Sequence, residues 1–195
     1  MCDLLSAFPH AGWVAGKITQ YGHGICAQNG QDCDCAPDEH ICAISWESRA
    51  NDTDSGRFLA AGASRSFWLR TKQGFLAEGL PLLRKALSEI DGGGAEPRNL
   101  ILESNTLLQF LNPSLYLMVL DPTKSDFKDS ARLQMDRASV FVLRAPVTNG
   151  SSSQAFLAPK FQSIPRFLQR EGEPLPPNLV HRVESALTAA QGITL

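Results

Sequence analysis

At 195 residues and 21.2 kDa, the chain is long enough for one domain with a full hydrophobic core. Its 43% hydrophobic and 19% charged residues suit a soluble globular protein, and a net charge of -2 gives no electrostatic basis for binding nucleic acid or an anionic membrane. No apolar run approaches the ~20 residues of a membrane span, and the start MCDLLSAFPHAGW lacks the basic head and long apolar stretch of a signal peptide. The expectation is a single cytoplasmic domain over 1–195 whose thiols stay reduced.

In chain order, Cys2 to Phe8 reads as the end of a helix, closed by Pro9 and Gly12, and Trp13 to Thr19 as a buried strand. A cysteine-rich segment follows. Ile41 to Trp46 and Ser66 to Arg70 are short strands, separated by Asn51 to Ala63, which is polar at first and then small and apolar. Leu80, Leu83, Leu87 and Ile90 recur at helical spacing, and Gly92-Gly93-Gly94 ends that helix. Asn99 to Leu102 and Leu115 to Leu120 are apolar strands, with a short helix from Thr106 to Leu111 between them. Asp126 to Arg137 reads as a helix, Ser139 to Leu143 as a strand and Val147 to Gln154 as a loop. Pro176-Pro177 opens a last helix carrying Leu179, Val180, Val183 and Leu187.

Apolar strands without polar alternation, interleaved with helices, predict an α/β fold: a three-layer, mostly parallel sheet with helices on both faces. The strands Trp13–Thr19, Asn99–Leu102, Leu115–Leu120 and Ser139–Leu143 are expected in one sheet. Ligands of such sheets bind beyond the carboxyl ends of the strands, which directs attention to Gln20–His23, Glu103–Asn105, Asp121–Lys124 and Arg144–Val147.

The segment 20–42 holds Cys26, Cys33, Cys35 and Cys42 in the pattern C-x6-C-x-C-x6-C, with His23 and His40 among them. Cys33 and Cys35 sit between Gln31, Asp32, Asp34, Asp38 and Glu39, where no apolar core can hold them. Four thiolates suit a tetrahedral zinc site or an iron–sulfur cluster. Four thiolates leave no open coordination position, so such a metal would be a structural staple. The alternative is a set of reduced cysteines, with Cys42 acting as a small hydrophobe at the start of a strand.

A P-loop reads G-x-x-x-x-G-K-[ST] between a strand and a helix. Ala11 to Ile18 has alanine at the first glycine and isoleucine at the magnesium-binding hydroxyl, and it follows a helix instead of preceding one. It is not a P-loop. No G-x-S-x-G or other nucleophile arrangement occurs, so no catalytic residue is singled out.

The run Asp54-Ser55-Gly56-Arg57-Phe58-Leu59-Ala60-Ala61-Gly62-Ala63 resembles the D-[ST]-x-R-x-x-x-A-G-A segment of molybdopterin-guanine dinucleotide biosynthesis protein B (MobB). Those proteins are P-loop GTPases of the signal-recognition-particle/MinD class. Lys17 and His23 look like the lysine and histidine that precede the segment in the family, and Glu103 looks like the acid that ends its next strand. The resemblance covers about the first two-thirds of the chain. It implies a P-loop NTPase-like fold and a role in attaching a guanine nucleotide to the molybdenum cofactor, usually beside a partner protein. Departures from the family are that Met1 falls where its first helix is already running, so its preceding strand and P-loop have no counterpart, and that Arg144-Ala145 replaces an Asn-Lys guanine-reading motif.

With no recognisable Walker A motif, GTP and magnesium are expected only if a P-loop is restored. In that setting Glu103 would hold magnesium through water; otherwise it caps the Ser104-Asn105 turn. Asp54 and Arg57 would pair with each other or with a phosphate. Asp121, before Pro122, is a turn former first and a nucleotide or magnesium ligand second. The alternative function is that of a non-enzymatic protein binding zinc or a cluster through Cys26, Cys33, Cys35 and Cys42.

Overall fold

The computed structural model describes residues 1–22, 41–91, 99–104, 106–124, 129–146 and 158–191, which divide into two units, Met1–Phe110 and Leu111–Leu195. The first unit runs α1 (Cys2–Ala7), β1 (Val14–Tyr21), β2 (Cys42–Trp46), α2 (Asp54–Ala60), β3 (Arg65–Lys72), α3 (Leu76–Asp91), β4 (Leu100–Glu103) and a 3-10 turn at Leu107–Gln109. Its sheet has the order β2-β3-β1-β4. β1 is parallel to both β3 and β4, and β2 joins the far edge antiparallel to β3.

Alternation along β1 sorts the two faces of this sheet. Val14 and Ile18, with Phe67 and Leu69 of β3, pack beneath Leu76 and Leu83 of α3. The intervening residues Ala15 and Ser66 are fully buried on the opposite face, where α2 lies on β1 and β3 and α1 packs on α2. Helices therefore cover both faces, as the apolar runs require. Gly16 lies where Phe67 crosses β1: a Cβ there would stand 2.6 Å from Phe67 Cε2 and 2.8 Å from Leu102 Cδ2. Helix α3 begins one turn before the expected start and runs through Pro81, whose missing N–H costs only one helical bond near the N-terminus.

The second unit contains β5 (Leu117–Leu120), a short α4 (Asp129–Arg132), a 3-10 turn at Met135–Arg137, β6 (Val140–Leu143), a 3-10 turn at Pro159–Phe161, β7 (Arg166–Leu168) and α5 (Pro177–Gln191). Its three strands form a parallel sheet, β5-β6-β7. Met118, Leu120, Phe141 and Leu143 bury one face with Met135 and Phe161. Val140 and Val142 bury the other with Leu179 of α5.

The α/β class and the parallel pairing stand. The four strands expected in one sheet are divided between two, and within each sheet they pair side by side, β1 with β4 and β5 with β6. Apolar runs identify buried strands but carry no information on which strand is the neighbour. The expected helix 126–137 is also interrupted: a 3-10 turn replaces its last part, with Gln134 N–H donating to Ala131 O and Arg137 N–H to Gln134 O.

Candidate functional site

Four residues named by sequence converge in the first unit. Lys17 and Glu103 are register partners on the parallel strands β1 and β4, so both side chains stand on the α2 face. Asp54 is the first residue of α2, and Arg57 follows one turn later. The Lys17 ammonium donates to Glu103 Oε1 and lies 3.1 Å from Asp54 Oδ2, while the Arg57 guanidinium pairs with Asp54 Oδ1. Two cations and two carboxylates make the cluster neutral in sum.

Lys17 is 21% exposed, whereas Asp54 and Glu103 keep 42% and 46% of their side-chain surface. Burial works against the Lys17 charge, but Glu103 and then Asp54 outweigh it and raise its pKa. Arg57, then Lys17, hold the Asp54 carboxyl below its ordinary range. Pairs this exposed contribute little to stability, ~0.2–1 kcal/mol each. Their interest is chemical: an ammonium and a guanidinium beside two oxygen-rich groups can take up phosphate oxygens, and the carboxylates can hold a hydrated magnesium ion.

Local structure explains much of the motif around Asp54. Thr53 is the N-cap, its hydroxyl accepting Gly56 N–H at 3.0 Å. At the other end Gly62 has φ 105°, Gly62 N–H donates to Leu59 O and Ala63 N–H to Phe58 O. That is a Schellman cap, with Ala63 and Phe58 buried. The Ala-Gly-Ala of the motif thus terminates a helix, which leaves Asp54 and Arg57 as its exposed polar residues.

Asp121 belongs to the second unit. Its Oδ1 accepts Thr123 N–H at 2.9 Å and Thr123 Oγ1–H at 2.6 Å, the turn-forming role expected of it. Those two bonds lower its pKa. Arg144 follows β6 and donates its backbone N–H to Leu120 O at 2.8 Å.

Of the proposed metal ligands, Cys26, Cys33 and Cys35 lie outside the described residues, as do His23 and His40. Cys42 opens β2, and its Sγ–H lies 3.5 Å from Phe75 O. Burial, and then Glu78, push its thiol pKa up. Gln73 N–H donates to Tyr21 O and Lys72 N–H to Ile41 O, so both ends of the cysteine-rich segment are tied to the end of β3. Among the described residues no three His, Cys, Asp or Glu side chains are grouped as a metal site.

Glu47 is not among the residues expected from the sequence. It precedes α2 and collects Ser55 Oγ–H and, at 3.0 Å, Asn51 Nδ2. The available signal was the run of short polar residues Asn51, Asp52, Thr53 and Ser55 around Asp54, which marks a helix start. Comparison with protein-family models, curated proteins and solved structures finds no match for this chain.

Proposed function

We propose that the chain is a MobB-like member of the P-loop NTPase class, acting in guanine-nucleotide attachment to the molybdenum cofactor beside a protein partner. One observation carries this: Lys17, Asp54, Arg57 and Glu103, drawn from three separate stretches that resemble the family, meet in a single cluster at the end of β4. Lys17 and Arg57 would contact phosphate, and Glu103 would hold magnesium through water. The open edge of β4 is compatible with this role. β4 pairs only with β1 among the described residues, and its apolar Leu100 is 40% exposed. A further parallel strand could pair there.

The sequence given has no G-x-x-x-x-G-K-[ST], and the backbone N–H groups of that loop and its lysine are what cradle β- and γ-phosphates. The chain is therefore expected to bind GTP weakly and to hydrolyse it at background rate. Calorimetric titration with GTP and magnesium tests this. Tight, magnesium-dependent binding by the chain itself would reveal a phosphate site of another kind.

A second proposal keeps the cysteines. Both ends of the segment are tied to the end of β3, so a metal held within the segment would clip an already closed loop. Purified protein should then carry about one zinc, or a cluster if prepared without air. Cys35→Ser should lower the metal content while leaving the sheet folded. Unchanged content by elemental analysis would remove the site.

A further inference from the structure

We propose that Glu47 is the positioning residue for Asp54, fixing the start of α2 so that its carboxylate meets Lys17. Glu47 is the first residue after β2, and its backbone N–H donates to Ser66 O of β3 at 2.9 Å, so its own place is set by the sheet. Its two carboxylate oxygens divide two tasks. Oε1 accepts Ser55 Oγ–H, and Oε2 accepts Asn51 Nδ2 at 3.0 Å. Asn51 Oδ1 in turn accepts Thr53 N–H at 2.9 Å and Thr53 Oγ1–H at 2.5 Å. Asn51, Thr53 and Ser55, which bracket Asp54, are thus all held directly or through one step by Glu47.

The packing leaves this clamp little freedom. Ser55 is 2% exposed, so its hydroxyl has no exchange partner in bulk water. Gly56 admits Asn51: a Cβ at residue 56 would stand 2.8 Å from the Asn51 backbone nitrogen. A glutamine at 47 has a single acceptor: with its oxygen on Ser55 it turns an NH2 group toward the Asn51 NH2, and with its oxygen on Asn51 it takes the carboxylate acceptor from the buried Ser55 hydroxyl. Only a carboxylate accepts from both. Glu47 does not touch Lys17, and its effect passes entirely through the backbone that carries Asp54. Its role depends on the cluster's geometry and not on the ligand the cluster takes.

The test is the NMR titration of the Asp54 side-chain carboxyl carbon in the full chain and in Glu47→Gln, Ser55→Ala and Leu87→Ala. Lys17 of β1 and Arg57 of α2 are the cations paired with Asp54, and Glu103 of β4 shares Lys17 with it, so its midpoint reports how well it is aimed at the two cations. In the parent it should lie below that of an ordinary aspartate. Glu47→Gln and Ser55→Ala should each move it upward, toward an unpaired carboxyl. Leu87→Ala, which loosens the α3 side of the core, should leave it in place. An unmoved midpoint in Glu47→Gln, or an equal shift in Leu87→Ala, would overturn the role. Should Ser55→Ala fail to fold, Glu47→Gln against Leu87→Ala decides.

Discussion

Replacing Gly16 by alanine tests the packing that places Lys17. The new methyl group would enter between the Phe67 ring and Leu102, 2.6 Å from Phe67 Cε2 and 2.8 Å from Leu102 Cδ2. Phe67 has no exposed surface and belongs to the cluster formed with Val14, Ile18, Leu69 and Leu83, so its ring cannot swing into solvent. Overpacking a filled core costs about 1–3 kcal/mol. At about 2 kcal/mol, the melting temperature should fall by roughly 4–8 °C. Denaturant unfolding followed by circular dichroism reads the loss, and a double-mutant cycle with Phe67→Leu identifies its cause. Phe67→Leu alone removes ring volume and destabilises, but it makes room for the alanine methyl. The two changes together should cost less than their sum by about 1 kcal/mol. If Gly16→Ala lies within about 0.5 kcal/mol of the parent, the margin for an unconstrained site, Phe67 does not cross β1 at this residue.

Thr53→Ala removes the N-cap of α2 and should cost about 1 kcal/mol in denaturant unfolding, with Thr53→Ser close to the parent. Lys17→Met removes two such pairs and should change stability at neutral pH by less than about 2 kcal/mol, since both carboxylate partners are well exposed; a loss well beyond that would mean a far drier cluster. The pH dependence of that difference has a definite sign. Asp54 has a lowered pKa, so its contribution is full above the ordinary aspartate range and is lost as the pH falls through the lowered value. Lys17 has a raised pKa, so its contribution is full below the ordinary lysine range and is lost as the pH rises through the raised value. The difference between parent and Lys17→Met should therefore be flat around neutrality and shrink at both extremes.

Strand identity was legible wherever apolar residues ran together. The spans at Cys42–Trp46, Leu117–Leu120 and Val140–Leu143 fall within the expected ones. β1 runs two residues past Thr19 because Gln20 and Tyr21 find register partners in Thr71 and Lys72 of β3, a tertiary cause that local sequence does not carry. The helix α2 was not expected: at seven residues it shows barely two turns of periodicity, although Thr53 and Asp54 supplied a start signal and Gly62 a stop. β7 was also missed, because three residues, Arg166–Leu168, cannot display an alternation. In the site, residue types at strand ends and the MobB-like run found Lys17, Asp54, Arg57 and Glu103. Glu47 escaped because its role lies in hydrogen bonds to Asn51 in the loop before α2 and to Ser55 in its first turn, four and eight positions away.

The most direct test of a MobB-like site adds a strand and G-x-x-x-x-G-K-T ahead of Met1 and titrates the folded product with GTP by calorimetry, with and without magnesium. Glu103 stands at the carboxyl end of β4, and its open edge is free to pair among the described residues. The extended chain should bind GTP in a magnesium-dependent way, and Glu103→Gln in the same background should abolish the magnesium dependence. A folded extended chain that binds no GTP, or whose binding is indifferent to Glu103→Gln, would contradict the assignment of this cluster to a nucleotide.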